Sequence, residues 1–284
     1  MSRLLWDQCF PVLRLEGSGS RSFLHGQTSA DIQQAETGIP IPACWLDATG
    51  RVQALLEIRL DLSGADVLVL AGAIDAVSAG FDRVIFPADR LRLRGARQQR
   101  RQELLVRGQP TEPVNVVWAN DDQGSGHQFS EYEAGNKGQL DHWRLRQGWP
   151  LSPAELDGTT NPFELGLASW VSLNKGCYLG QETVAKLASR GEVKQQLRSW
   201  SATFGSDLEQ APQKGTILRC KGERAGVITS ALQIETLDGA AQEWVGLALV
   251  RRKSLSEPEL NIESEHQSIQ LFKPLGFSEP PTRD

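Results

Sequence analysis

The chain has 284 residues, 39% apolar and 23% charged, with a formal net charge of −5. Such a length points to two or three domains, and the composition is that of an ordinary globular chain, which excludes the fibrous and disordered classes. The negative balance argues against wholesale wrapping of nucleic acid and leaves open a local basic face.

In chain order, PVLRLEG alternates apolar and polar residues and predicts a strand ending at Gly17. SGSRSFLHGQTSADIQQA offers Ser20 as an N-cap for a helical stripe through Phe23 and Leu24. Three strands are expected across ACWLDATGRVQALLEIRLDLSGADVLVLAG, with turns at Gly50 and Gly64. IDAVSAGFDRVIF predicts a helix or helical turn, and DRLRLRGAR a strand with Arg90, Arg92 and Arg94 on one face. The polar, glycine-rich residues 119–139 read as a loop or poorly ordered insert. A helix in LDHWRLRQGWP stops at Gly148 and Pro150, and another runs from about Gln181 to Ser189 before Gly191. From Leu197 the pattern becomes short strands separated by turns, LRSWSATF, GTILRC, RAGVITSALQIE, WVGLALVRR and IQLF, which predicts a small β-barrel.

The amino terminus shows neither a continuous apolar segment nor a small-residue cleavage site, and the longest apolar run, Val67–Ile74, is far below a membrane span. A cytoplasmic protein with no membrane partner is therefore expected. The cysteines, Cys9, Cys44, Cys177 and Cys220, are scattered without CxxC spacing or a nearby histidine. Neither a disulfide scaffold nor a metal site is expected. GSGSRS lacks the third glycine and acidic follow-up of a dinucleotide fingerprint, and no Walker or G-x-S-x-G sequence occurs.

One stretch, NKGCYLGQETVAK (174–186), concentrates chemically distinct side chains. Cys177 lies just before a predicted helix and two residues after Lys175; a helix N-terminus and an ammonium both favour a thiolate. A buried, inert cysteine in a turn is the competing reading. Gly176 and Gly180 suit positive φ or close approach, for a turn or for a flat ligand. Glu182 suits the helix dipole and could also pair with Lys175 or accept hydrogen bonds from a heteroaromatic ring.

KGCYLGQE resembles the K-G-C-Y-x-G-Q-E signature of the YgfZ-like folate-binding family, relatives of the glycine-cleavage T-protein. GSGSRSFLHGQTSAD (17–31), LDATGRV (46–52), RLRQGWP (144–150), NPFELGLASWVSLNKG, SRGEVKQQL (189–197), GERAGVITS and VGLALVRR resemble further elements of that family in the right order. The resemblance implies an α+β fold: intertwined N-terminal subdomains around a central cavity (1–196), a C-terminal β-barrel (197–276) and a disordered tail (277–284). It implies tetrahydrofolate or a related reduced folate as ligand. It further implies support for assembly or repair of iron–sulfur clusters, with iron–sulfur client enzymes, some of them tRNA-modifying, or assembly factors as partners.

Carried onto this chain, the resemblance makes Cys177 the functional thiol and Lys175 the residue that tunes it. Gly176 and Gly180 shape the loop, Tyr178 packs it, and Gln181 and Glu182 hold it or touch ligand. Arg190 meets the folate carboxylates, and Gln27, Phe10 and Trp143 join the expected ligand contacts. Phe10 and Leu140 stand where some members place tryptophans, and Trp143 is three residues further along. A core aromatic is the competing reading for Phe10.

The T-protein's chemistry relies on an aspartate in a G-G-I-x-D-D strand. Here Gly50–Arg51–Val52 is followed by Gln53, Ala54 and Leu55, so both acids are absent, and Asp47 and Glu57 fall outside the pattern. That departure argues against an aminomethyltransferase. A one-carbon transferase using another acid and a scaffold with a vestigial cavity remain as alternatives. DRLRLRGARQQRR (89–101) holds six arginines; a protected edge strand is the default reading and tRNA contact the alternative. Lys186 and Arg190, four apart on one helix, suit an anion better.

Overall fold

The computed structural model describes residues 3–106, 116–119, 129–204, 212–234, 242–262 and 267–281. The chain forms two units: residues 1–135, 151–162 and 168–189 make the first, and residues 136–150, 163–167 and 190–284 the second. Among the described residues no helix is long and apolar enough to cross a membrane, and no group of metal-ligating side chains occurs.

The first unit is built on a six-stranded sheet. Its strands are β1 (Arg3–Glu16), β2 (Ile41–Leu46), β3 (Val52–Asp61), β4 (Gly64–Ala71), β5 (Arg92–Val106) and β6 (Val116–Ala119), in the order β2-β3-β4-β1-β5-β6. β4 lies between β3 and β1 and is buried at every position, which explains its continuous apolar run. β3 carries Ala54, Leu56, Ile58 and Leu60 on one face, where they join Leu13 and Leu15 of β1 and Val67 and Val69 of β4. Helices α1 (Ser20–Gln27) and α2 (Ile74–Asp82) cover that face through Phe23, Leu24, Val77 and Phe81. Phe81 meets Phe23 and Trp45 edge-on, with centroids 5.5 and 5.9 Å away. Gly80 makes room for Trp45: a β-carbon there would lie 2.3 Å from the indole.

The opposite face of the sheet holds charge. Arg101 of β5 and Glu57 of β3 are separated in the sheet by β4 and β1. Three strand spacings put such strands about 14 Å apart in a flat sheet. Yet the Arg101 guanidinium donates to Glu57 at 2.9–3.1 Å and to Glu103 Oε2 at 2.7 Å. The sheet therefore curls over this face. Trp118 of β6 donates its indole N–H to Glu57 as well, and Trp6 lies 5.3 Å under the Arg101 cation. Arg101, Glu57 and Glu103 are all buried. Burial works against the Arg101 charge, but the two carboxylates outweigh it and keep the guanidinium protonated. Burial pushes Glu103 above the usual carboxylate range, and Arg101 offsets this only in part.

The second unit contains a closed barrel. Its strands are β7 (Gln195–Phe204), β8 (Ile217–Cys220), β9 (Glu223–Ile234), β10 (Gln242–Arg251), β11 (Glu259–Ile262) and β12 (Ser268–Phe272), in the order β10-β7-β12-β11-β8-β9. Trp200, fully buried, fills the interior with Leu218, Ile228, Val250, Leu260 and Ile269. Its indole N–H donates to Leu247 O at 3.1 Å. Gly246 admits the ring, since a β-carbon there would stand 2.5 Å from it. Helix α3 (Lys137–Gln147) joins this unit, with Asn136 and Gln139 capping each other's backbone amides and Gly148 ending it at φ 75°. Ser199 Oγ of β7 donates to Leu145 O of α3 at 2.7 Å.

The predicted strands and helices are present, with several differences. Ser20 is the first residue of α1 rather than its cap: its hydroxyl donates to Leu15 O and Gly17 O. Arg90 lies outside β5 in a left-handed conformation, φ 54°, so only Arg92 and Arg94 of the expected trio are on the strand. β5 runs on to Val106 because Arg97 and Arg100 are paired with Asp66 and Asp7, which lets a highly charged segment stay in the sheet. The short strands β6 and β11 were not expected. Of the polar 119–139 insert, residues 120–128 lie outside the described residues, whereas Ala134 bridges to Leu5 and Phe129 is buried. In the segment expected as a tail, Phe277 is buried against Gly166 and the Ser278 amide donates to Gly166 O at 2.8 Å. Residues 277–281 are thus part of the second unit's packing, and 282–284 lie outside the described residues.

Candidate functional site

α1 is short, and its last-turn carbonyls lack amide partners from the helix itself. The loop 172–180 supplies them. Lys175, 7% exposed, donates from Nζ to His25 O, Thr28 O and Ala30 O, the last two at 2.7 Å. The Leu179 amide donates to Gly26 O at 3.0 Å, and the Ser172 amide to Ser29 O at 2.9 Å. An ammonium has three N–H donors, so those of Lys175 are all occupied at the negative end of the α1 dipole. Its charge also lies 4.7 Å over the Tyr178 ring. Burial lowers Lys175 to about 8, opposed by the Asp31 carboxylate; it remains largely an ammonium at pH 7. The lysine thus anchors the loop that carries the thiol.

Cys177 itself is exposed between the two buried anchors, Lys175 and Tyr178. Helix α4 (Gln181–Arg190) begins beyond Tyr178, Leu179 and Gly180, so the thiol stands ahead of the first turn, where the dipole's influence is concentrated. Cys44, on β2, is the opposite case: fully buried, with burial pushing its thiol up to about 12. Tyr178 is buried near it and is likewise pushed up to about 12 by burial. Gln181 holds the loop by accepting the Tyr178 amide on Oε1 at 3.3 Å. Glu182, Lys186 and Arg190 are exposed along α4.

The two glycines of the motif differ. Gly180 has φ 81°, and a β-carbon there would lie 2.6 Å from Asp47 O and 3.0 Å from Gly50 Cα. Gly50, at φ 75°, is hemmed in likewise: a β-carbon there would lie 3.0 Å from Thr183 Cβ and 3.3 Å from Gly180 O. The LDATG turn and the KGCYLGQE loop thus meet backbone to backbone. Gly180→Ala combines a positive φ with this clash and should destabilise the protein by about 2 kcal/mol, read as a lower denaturant midpoint at unchanged m-value. Gly176 has no positive φ, and a β-carbon there would meet His25 Nε2 at an ordinary 3.6 Å. Neither expected reason for a glycine holds at 176.

Of the other expected ligand contacts, Gln27 ends α1, half-buried, beside the anchored loop. Phe10 is 5% exposed and lies edge-on to Trp6, with centroids 5.7 Å apart; the core-strand reading describes it, and a stacking role would require that face to open. Trp143, on α3, and Arg190 belong to the second unit. Ser29 was not singled out from sequence, yet it knits the site: its hydroxyl donates to Trp170 O at 2.7 Å and accepts the Cys44 amide at 2.8 Å. His25 was also missed, because its role depends on a loop 150 residues away in sequence.

The strand positions of the T-protein acids are apolar and buried: Ala54 and Leu55 are both 0% exposed. Glu57, on the same strand face as Leu55, is bound by Arg101 and Trp118. Asp47 accepts the Thr49 and Arg51 amides and the Thr49 hydroxyl at 2.7–3.0 Å, building its own turn. Burial opposes its ionisation, but these hydrogen bonds hold its carboxyl below the usual range.

The glycine cleavage system aminomethyltransferase T from Bartonella henselae superposes with a TM-score of 0.70 at 17% identity, covering 99% of this chain and 88% of that one. The fold is that of a T-protein-type aminomethyltransferase, an α/β region joined to a closed β-barrel. In sequence, the tRNA-modifying protein YgfZ of Shigella boydii is 23% identical over 259 residues, 78% of either chain. A putative chloroplast transferase of Arabidopsis thaliana is 38% identical over 87 residues, a match spanning 31% of this chain and 19% of that protein. No protein-family model matches. The chain is thus similar in sequence to a YgfZ protein and in fold to a glycine-cleavage aminomethyltransferase.

Proposed function

We propose that the protein binds a reduced folate, tetrahydrofolate or a close relative, and supports assembly or repair of iron–sulfur clusters in client enzymes, including tRNA-modifying ones. Cys177 is its functional thiol in this reading. The observation that carries it is the contrast within one loop: Lys175 and Tyr178 are buried and Leu179 is tied to α1, yet Cys177 between them is presented to solvent. A cysteine serving packing would be turned inward, as Cys44 is. The fold shared with a folate-dependent transferase class and the YgfZ-like sequence support the folate part.

A one-carbon transferase is disfavoured by the same strand that would carry its acid. Ala54 and Leu55 replace the carboxylates, and Asp47 and Glu57 are committed to a turn and to Arg101. Direct tRNA contact through the arginine run is the weaker partner reading, because Arg94, Arg97 and Arg100 are each paired with an acid of the same sheet, Glu16, Asp66 and Asp7.

Thermal melts with tetrahydrofolate test the ligand. At 100 times Kd, binding adds about 2.7 kcal/mol of stability, so a clear rise in Tm is expected; an unchanged Tm at saturating folate favours the scaffold alternative. An assay with an aminomethyl-lipoyl carrier then separates the other two, with no turnover expected and sustained turnover overturning this reading in favour of the transferase.

A further inference from the structure

The sheet face that carries Arg101, Glu57 and Glu103 holds a second set of charges, two residues along β3 from Glu57. Asp66 of β4 stands opposite Arg59 of β3 and opposite Arg14 of β1 in the two ladders, and Arg97 of β5 reaches it as well. Three guanidiniums therefore surround one carboxylate, whose side chain is 8% exposed. They are not equally engaged. Arg14 is spent on Asp61, at 2.5 and 3.0 Å, and on Ser63. Arg97 donates to Asp66 Oδ2 and to Gln99 Oε1, each at 3.0 Å. Arg59 stays 3.6 Å from Asp66 Oδ2, beyond hydrogen-bonding distance, and among the described residues its guanidinium donates to nothing. Trp118 holds it instead: the cation lies 4.4 Å over the indole ring. That ring is itself buried and fixed by its N–H to Glu57, whereas the Arg59 side chain remains 26% exposed.

We infer that Arg59 anchors an oxyanion site on this face, with Arg97 beside it, and that the site takes a carboxylate or phosphate group of a small ligand. A guanidinium presents five donors in a planar fork that matches two oxygens of such a group. Stacking on Trp118 fixes the plane of that fork without consuming a donor, so little ordering is left for the ligand to impose. The charges favour an anion: Arg14 has Asp61 and Arg97 has Asp66, which leaves the Arg59 cation with no carboxylate in hydrogen-bonding distance. An arginine serving only the sheet would close on Asp66, as Arg97 does. Arg59 and Arg97 approach the same Asp66 oxygen and are both open to solvent, so their outer edges lie within reach of one bound group. The inference stands apart from the folate reading: the glutamyl carboxylates of a folate are one source of such a group, and a phosphate ester is another.

The test follows the Trp118 indole N–H resonance in the nitrogen-15-labelled full-length chain. The chain is titrated with inorganic phosphate and with p-aminobenzoylglutamate, each against chloride at equal ionic strength. At least one of the two should give a saturable shift with Kd of about 1 mM, the strength of a pair of charge-assisted hydrogen bonds. Saturation by p-aminobenzoylglutamate identifies a carboxylate source, and saturation by phosphate a phosphate source. Arg59→Gln removes the fork and the charge and should weaken binding about tenfold or more. Arg59→Lys keeps the charge and the stem over Trp118 but loses the fork, and should weaken binding as well. No saturable shift with either probe, a shift that chloride reproduces, or wild-type binding by Arg59→Gln or Arg59→Lys would overturn the inference. Neither probe carries a pteridine, so an unchanged Tm with tetrahydrofolate sinks the folate reading alone and leaves this site to its own titration.

Discussion

Arg101→Met is expected to lower the unfolding free energy by about 3–5 kcal/mol, the cost of stranding buried charge by removing its partner. Among the described residues the arginine is the one cation donating to both Glu57 and Glu103, and all three side chains are nearly inaccessible. Methionine fills much of the stem's volume and so isolates the electrostatic loss from a cavity. The loss should shrink on acidification, because burial already pushes Glu103 toward its neutral form. Replacing Arg101, Glu57 and Glu103 together by apolar residues should recover a large part of the stability, since a well-packed apolar set often matches a buried ion group. Urea unfolding at pH 7 and at pH 5 measures both effects. A loss below about 1 kcal/mol at both pH values would mean that the cluster is solvated rather than enclosed by the curl of the sheet.

Lys175→Met should cost about 3 kcal/mol and uncouple the cysteine loop from α1. Ala30 O keeps the Ile32 amide as a second partner, but His25 O and Thr28 O lose their Lys175 donor, and a stranded buried acceptor costs about 1–3 kcal/mol. Lys175→Arg should not rescue fully: a planar fork cannot direct three donors to carbonyls converging on one point. The pH dependence has a defined sign. Folded Lys175 titrates at about 8, below the unfolded value of about 10.4. Between these values the unfolded chain binds more protons, so the lysine's contribution to stability rises with pH through that window and falls away as pH drops to 8. The stability gap between wild type and Lys175→Met should therefore widen above pH 8. A gap that is constant from pH 7 to 10 would contradict the lowered value.

Much of this architecture is legible in the chain. β2, β3 and β4 announce themselves through apolar runs broken at Gly50 and Gly64, each of which takes a positive φ, and the helix ends at Gly148 and Gly191 follow the same logic. β6 and β11, four residues each, are too short to show a period. The Arg101–Glu57 pair was illegible because it joins residues 44 apart across two intervening strands, and isolated charges in sequence read as surface. In the site, KGCYLGQE stands out by composition, and Gly180 behaves as a motif glycine should. The role of Lys175 was hidden because its acceptors are backbone carbonyls, which every residue has and no sequence pattern marks. His25 and Ser29 were missed for a related reason: each acts through a tertiary contact with the same distant loop.

The proposed role of the molecule depends on the exposed sulfur of the anchored loop. The most direct measurement is iron–sulfur enzyme activity in cells lacking the protein, complemented with the wild-type chain or with Cys177→Ser at equal abundance, with glycine cleavage followed alongside. The wild type should restore the iron–sulfur activities, Cys177→Ser should fail to do so, and glycine cleavage should be unaffected throughout. Full restoration by Cys177→Ser would contradict the account.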